Sequence, residues 1–306
     1  MKIVFLDGEM FTDCDTEKFN ELGEFEIYKY TNHENERERI GDAEIVLINS
    51  TAVRPENLKD SNVKYIGLLA TGYNWIPYEE YQKLGIIVTN TPKYSTEAIA
   101  QNAFLHILNI LSQYYDQVKD IRENGWTELK QYKKWFHSAD LLNHKTVGIL
   151  GYGAIGKKLH EYLKPFNINL MALDRHNENS PSLDEILEKS DIISLNMPLT
   201  DENKNIINRE TIKKMKDGVI IINTARGGLI DEEALYEGLK SKKIRAVGLD
   251  VMAKEPPEKD NPLLKLENVY ITPHSAWAAR RSRQNMLDIG YNNIKSYIDG
   301  KIVNSL

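Results

Sequence analysis

The sequence predicts an α/β chain built from two doubly wound parallel-sheet domains, one inserted into the other. Three observations carry this. Short apolar runs of strand length recur along the chain, separated by segments of helical character, the rhythm of βα units rather than of hairpins. A glycine-rich turn, Gly151-Tyr152-Gly153-Ala154-Ile155-Gly156, stands where one such run passes into a helix. A final helical segment over 276–299 follows the last run and returns the chain to its first domain, which is therefore discontinuous. The expected boundaries are 1–95 with 280–306 for the first domain and 96–279 for the second, in keeping with 306 residues as about two domains.

In the first domain, strands are expected at 3–6, 24–29, 45–48, 65–69 and 86–88, with the charge-rich stretch Glu34 to Arg39 as a solvated helix face. Thr91-Pro92 breaks the chain. Ser95 or Thr96 then caps a long helix with apolar positions at Ile99, Ala103, Leu105, Ile107, Leu108 and Leu111, expected to run to about Glu123 and to stop at Gly125. The stretch from Trp126 to His137 is aromatic and basic, a composition that calls for a cover such as a second subunit. Strands of the second domain are expected at 146–150, 169–173, 191–195, 219–223, 245–249 and 269–272.

Composition narrows the function classes. Hydrophobic content of 41% and charged content of 27% describe an ordinary globular protein, and a net charge of −6 argues against a nucleic-acid or anionic-membrane surface. The first apolar run ends at Asp7, too soon for a signal peptide, and no run of about 18 apolar residues is present. Cys14 is the one cysteine, which rules out an internal disulfide and suits a reducing cytoplasm. Its neighbours, Asp13 and Asp15, are the wrong sign to activate a thiol. A cytoplasmic location is expected, with neither membrane nor nucleic acid as partner and no metal site.

The glycine turn has a defined chemistry. Gly151 suits a tight turn, Gly153 a close approach of backbone to a pyrophosphate, and Gly156 close packing of helix on strand. The helix that starts near Ala154 points free amides and its positive dipole end at the phosphates. Asp174, at the end of the next strand, can accept from the ribose hydroxyls and repels a 2′-phosphate, so the cofactor expected is NAD(H). Arg175, next in the chain, is the feature that leaves room for NADP.

Ligands of doubly wound sheets lie beyond the carboxyl ends of the strands. There this sequence places Asn196-Met197-Pro198, Asn223-Thr224-Ala225-Arg226-Gly227-Gly228, Asp250 with Glu255-Pro256-Pro257, and Pro273-His274-Ser275-Ala276-Trp277. One arginine, two acids and one histidine thus converge on the edge where the cofactor is expected.

These motifs carry a resemblance. GYGAIG at 151–156, NTARGGLID at 223–231, GLDVMAKEPP at 248–257 and PHSAW at 273–277 make the chain similar to the D-isomer-specific 2-hydroxyacid dehydrogenase family along essentially its whole length. LLATGYNWI at 68–76 and VTNTPKYSTEAIAQ at 88–101 look most like its glycerate dehydrogenase (hydroxypyruvate reductase) branch. The resemblance implies a Rossmann NAD-binding domain inserted into a flavodoxin-like substrate domain. It also implies reduction of a small 2-oxo acid, hydroxypyruvate or glyoxylate, to the D-2-hydroxy acid. Arg226 would bind the substrate carboxylate and polarise the ketone, His274 would supply the proton, and Glu255 would hold His274 in its charged form.

By the same resemblance, amides around Thr71 and Gly72 take the other side of the substrate carboxylate. Ile155 and Gly156 meet the pyrophosphate, Asp174 the ribose and Pro198 the adenine side. Thr224, Ala225, Asp250 and Ala276 line the rest of the cofactor, Ala225 and Asp250 at the nicotinamide end. The expected assembly is a homodimer, with Trp135 reaching a neighbouring subunit. Asn74, where the family commonly has aspartate, and Pro77 depart from the pattern around the substrate loop. Trp277 narrows the pocket toward a small substrate. Glu255 argues against the formate dehydrogenase relatives, which have glutamine there. Two alternatives stand beside this reading: a short phosphoglycerate dehydrogenase, for which Lys93 is the extra cation near the cleft, and a non-enzymatic NAD(H)-sensing interaction protein on the same fold.

Overall fold

A computed structural model describes residues 1–126 and 139–306. The chain divides into two compact units, one formed by Met1–Ser95 with Ala278–Leu306 and the other by Thr96–Trp277.

The first unit holds a five-stranded, all-parallel sheet in the order β2-β1-β3-β4-β5, where β1 is Lys2–Phe5, β2 Glu24–Ile27, β3 Ile45–Ile48, β4 Tyr65–Leu68 and β5 Ile87–Thr89. The sheet order reverses between β1 and β3. Every residue of β3 and β4 is buried, as expected when helices cover both faces. Phe5, Leu47, Gly67 and Thr89 lie level in the register, so the loops that follow leave the sheet along one edge.

The second unit holds six parallel strands in the order β11-β10-β9-β8-β6-β7, with β6 Thr146–Leu150, β7 Asn169–Leu173, β8 Ile192–Leu195, β9 Val219–Asn223, β10 Ile244–Leu249 and β11 Val269–Ile271. Alternation along each strand separates two cores. Val147, Ile149, Ile192, Ile220, Ile222 and Ala246 face the helix Thr96–Ser112. Leu150, Ile193, Leu195, Ile221, Val247 and Leu249 face the other layer. Because both faces are covered, these strands read as continuous apolar runs instead of alternating ones. The register aligns Leu173, Leu150, Leu195, Asn223, Leu249 and Ile271 in one row. The residues that follow them emerge together at the carboxyl edge, on both sides of the reversal between β6 and β8.

Two expectations about helices need correction. The long helix is two, Thr96–Ser112 and Tyr114–Asn124, divided at Gln113, whose φ is +54°. The break is satisfied locally. Asn109 Oδ1 accepts from the Tyr115 amide at 2.9 Å, and Gln117 Nε2 donates to the Ser112 carbonyl at 2.7 Å. Helical periodicity in the sequence shows no interruption there because a single left-handed residue turns the axis without removing an apolar position. Of the expected apolar positions, Ala103, Ile107 and Leu111 are buried, whereas Leu105 is 62% exposed; Ala100, His106 and Ile110 complete the buried stripe. The last helix is Arg280–Ile298 and starts four residues later than expected, because Ser275 and Ala276 give their amides to the carboxylate of Asp250. The expectation for the aromatic stretch falls outside the described residues, apart from Trp126, which is exposed.

Gln113 supplies a stability test. A left-handed conformation is unfavourable for a side chain by about 1–2 kcal/mol, and glycine escapes that while losing part of the gain to backbone entropy. Gln113→Gly is expected to melt at or slightly above the wild-type temperature, and Gln113→Val clearly below it. Equal melting of the two variants would show that the left-handed break is absent in solution.

Candidate active site

The carboxyl edge of the second unit gathers the candidate residues. After β6, Gly151 has φ +98°, and a Cβ there would come within 2.8 Å of the Asn196 carbonyl group, so the turn requires glycine. A Cβ on Gly156 would stand 2.4 Å from Gly151 O, which is why the helix Ala154–Leu163 can lie so close to its strand. Gly153 differs from both: it is exposed, and a Cβ would meet nothing within 4 Å. It is the N-cap of that helix, with no side-chain cap and no acidic residue in the first turn, so the first amides stay open to an anion. Ile155, next to Gly156, is half-buried.

Asp174 follows β7 beside this turn, and the amides of Gly151 and Tyr152 donate to Leu173 O at 3.3 and 3.2 Å. One oxygen of Asp174 takes the His176 amide at 3.0 Å, while Arg175 is exposed. Pro198 is exposed on the loop after β8, its carbonyl held by Asn203 Nδ2 at 2.8 Å. Asn196 Oδ1 and Thr224 Oγ1, at the ends of β8 and β9, are buried and without a hydrogen-bond partner among the described residues. Unpaired buried polar atoms are rare. Together with the open Gly153 backbone and the aspartate after β7, they fit a dinucleotide laid along this edge.

Beyond β9 the loop is shaped by Asn223, which is fully buried. Its side chain accepts from the Ala225 amide at 3.0 Å and donates to Arg226 O at 2.9 Å. Sequence reading passed over this residue, although an amide closing an apolar strand just before Thr-Ala-Arg was its signal. Arg226 is half-buried, with Nη1 donating to Ala225 O at 2.7 Å. Gly227 follows, and a Cβ there would lie 1.9 Å from Met252 O. Only glycine lets the Arg226 loop touch the backbone of the loop that carries Glu255.

Asp250, the residue after β10, is 2% exposed. Its carboxylate accepts from Thr272 Oγ1 at 2.5 Å and from the amides of Ser275 and Ala276 at 2.9 Å each. Its own carbonyl takes the His274 amide at 2.8 Å. Asp250 therefore clamps the loop on both sides of His274, which adopts φ +49°. The His274 ring meets Glu255 Oε2 through Nδ1 at 2.6 Å, and the other Glu255 oxygen accepts from the Met252 amide at 2.9 Å.

The electrostatics agree with that pairing. The hydrogen bond to Glu255 raises the His274 pKa; burial opposes it, the charges of Glu255 and Asp250 add to it, and Arg226 works against it. Burial pushes Glu255 up, but the hydrogen bonds from His274 and the Met252 amide, with the charges of His274 and Arg226, outweigh it and leave the carboxyl below its usual range. Both groups thus favour their ionised forms.

Thr71 and Gly72 stand in the first unit, in the loop after β4. Among the described residues, neither of their amides donates to a backbone carbonyl. Cys14 is partly buried; burial raises its thiol pKa against the pull of Arg283, which suits an unreactive side chain. Among the described residues no cluster of three His, Cys, Asp or Glu could hold a metal ion, and no helix is long and apolar enough to cross a membrane.

Comparison with known proteins agrees with this geometry. Residues 104–276 match the family model described as D-isomer specific 2-hydroxyacid dehydrogenase, NAD binding domain. A hydroxypyruvate reductase of Blautia hydrogenotrophica is 39% identical over 318 residues, covering 99% of each chain. A glycerate dehydrogenase of Methylorubrum extorquens is 34% identical over 305 residues, covering 98% of this chain and 97% of its own. The apo-structure of D-lactate dehydrogenase from Escherichia coli superposes with a TM-score of 0.88 over 100% of both chains at 26% identity. With its two parallel sheets and its glycine turn, the chain belongs to the D-isomer specific 2-hydroxyacid dehydrogenase family and is an NAD-dependent oxidoreductase.

Proposed function

We propose that the protein reduces a small 2-oxo acid, hydroxypyruvate or glyoxylate, to the D-2-hydroxy acid, with His274 giving the proton. The observation that carries this is the 2.6 Å contact between Glu255 and His274 on the strand edge that also bears Arg226. NADH, when held by the residues of this edge, would supply the hydride. Arg226 spends one nitrogen on Ala225 O, which leaves the rest of its planar fork for a carboxylate and the neighbouring ketone oxygen. As negative charge develops on that oxygen, the guanidinium stabilises it. Because Glu255 engages Nδ1 of His274, Nε2 is the nitrogen left to deliver the proton, and in the reverse direction to accept it.

Gly151, Gly153, Ile155 and Gly156 are assigned to the pyrophosphate, Asp174 to the ribose and Pro198 to the adenine side. Thr224, Ala225, Asp250 and Ala276 are assigned to the nicotinamide half. Thr71 and Gly72 are assigned to the substrate carboxylate, which suits amides that donate to no backbone carbonyl among the described residues. The names of the hydroxypyruvate reductase and glycerate dehydrogenase relatives support the substrate class, and Trp277 favours a small one. A homodimer is part of the proposal. Leu105, Tyr114, Tyr115, Trp126 and Leu141 in the second unit are each more than half exposed, large side chains that a second copy would cover.

Three measurements test this reading. The first follows NADH oxidation with hydroxypyruvate, glyoxylate, pyruvate, 2-oxoisocaproate and 3-phosphohydroxypyruvate. Hydroxypyruvate or glyoxylate is expected to lead, and NADPH to serve poorly because Asp174 repels its 2′-phosphate. A lead by the phosphorylated acid would move the assignment to a phosphoglycerate dehydrogenase, and tight NADH binding without turnover would leave a sensor. The second is the pH profile of kcat/KM for reduction. The acid form of His274 is the active one, so activity is expected to hold below its raised pKa and to fall as pH rises through it. A second loss is expected at low pH, where Glu255 protonates. Glu255→Gln removes the group that raises His274 and should move the upper limb to lower pH, while His274→Ala should lower kcat roughly 10²–10⁴-fold. An upper limb that stays in place in Glu255→Gln would sink the pairing. The third is sedimentation, where the expected species has twice the 35.2 kDa chain mass and a monomer at micromolar concentration would remove the dimer.

A further inference from the structure

Beyond the residues assigned above, the first unit contains a chain of three asparagines that ends on its substrate loop. The N–H groups of Thr71 and Gly72 belong to the peptide units whose carbonyls are those of Ala70 and Thr71. Both carbonyls are held from the far side: Ala70 O accepts from the Thr91 amide at 3.0 Å, and Thr71 O accepts from Asn90 Nδ2 at 2.8 Å. In a trans peptide the C=O and N–H point in opposite directions. A donor fixed on each oxygen therefore fixes the direction of each N–H, and also polarises it. Thr71 Oγ1, bonded to Thr91 O at 3.0 Å, and Trp75 Nε1, bonded to Gly72 O at 3.0 Å, complete the brace.

Asn90 is itself held. Its carbonyl accepts from Asn293 Nδ2 at 2.9 Å, and its amide donates to Asn304 O at 3.0 Å. Asn304 Nδ2 in turn donates to Asn293 Oδ1 at 2.8 Å. Asn293 is 2% exposed on the helix Arg280–Ile298, and it must donate and accept at once, which an amide side chain can do. The segment that carries Asn304 is anchored on the edge of β5 by an antiparallel bridge between Thr89 and Ser305 and by the Leu306 amide on Val88 O. No residue of this chain carries chemistry, and three distant parts of the sequence supply it.

We propose that Asn304, Asn293 and Asn90 form a positioning relay that holds the Thr71 and Gly72 amides in their carboxylate-binding direction and so sets the affinity for the 2-oxo acid. This rests on the assignment of those amides to the substrate carboxylate. The residues are positioning residues, and their loss should be felt in substrate binding before turnover, and not in cofactor binding.

The test uses Asn304→Gly, Asn90→Ser and the double variant in the full chain. Asn304 has φ +53°, so glycine keeps the backbone and removes only the donor. Each single variant is expected to raise KM for the 2-oxo acid, and Ki for the isosteric carboxylate oxamate, by roughly three- to tenfold, the range of one lost hydrogen bond. NADH affinity, read by fluorescence titration, should hold, and kcat should change by less than KM. Because the residues act in series, the double variant should be no worse than Asn90→Ser alone. Unchanged KM and Ki in Asn90→Ser would overturn the relay, as would effects that multiply in the double variant. If Asn304→Gly lowers stability as well, Asn90→Ser decides the matter through the same two constants. Wild-type protein inert toward every 2-oxo acid would remove the functional reading, and the relay with it. Active wild type with indifferent variants would remove the relay alone.

Discussion

The buried carboxylate of Asp250 is the constraint on which the carboxyl edge of the second unit depends. A charge withdrawn from water is tolerated only when hydrogen-bond donors replace its hydration, and three donors from the Thr272–Ala276 stretch do so here. The satisfaction is mutual. The loop cannot relax into a helix or move away without leaving Asp250 unpaired, so His274 keeps its left-handed backbone between residues that are both tied down. Strain at one residue persists because its neighbours over-determine it.

The first unit solves the same problem in the same way. Asp7, after β1 and 5% exposed, accepts from the amides of Asn49, Ser50 and Thr51 and from the Ser50 hydroxyl. Each unit thus places an aspartate just beyond a strand next to its own sheet centre and uses it to fix the loop of a neighbouring element. Parallel sheets make this economical, because every strand ends on the same edge and an anion there faces several outgoing backbones at once.

Backbone proximity is the second condition. Gly227 lets the Arg226 loop lie against Met252, and Met252 gives its amide to Glu255. The backbones that carry Arg226 and Glu255 are therefore held together by main-chain contact, and Glu255 meets the His274 ring directly. Close main-chain packing of this kind keeps neighbouring loops, and the side chains they carry, in one fixed arrangement.

Much of this was legible from residue order. Apolar runs of strand length, with glycine, aspartate, arginine and histidine just beyond them, determined that the chain forms βα units, that a glycine turn at Gly151 to Gly156 joins a strand to a helix, and that Arg226, Glu255 and His274 follow strand ends. Those inferences need only local periodicity and the chemistry of single residue types. What the sequence could not determine depends on register and long-range contact. The level row from Leu173 to Ile271 exists only once six strands are paired. The break at Gln113 follows from one dihedral angle that leaves the apolar pattern intact. That Asp250 clamps a loop 22–26 residues away is invisible in the sequence, and the partnership of Asn90, Asn293 and Asn304 crosses more than 200 positions. Hydrogen bonds of that kind leave no periodic trace, because an asparagine that completes a buried network is spelled the same as one that meets water; only the folded chain decides which it is.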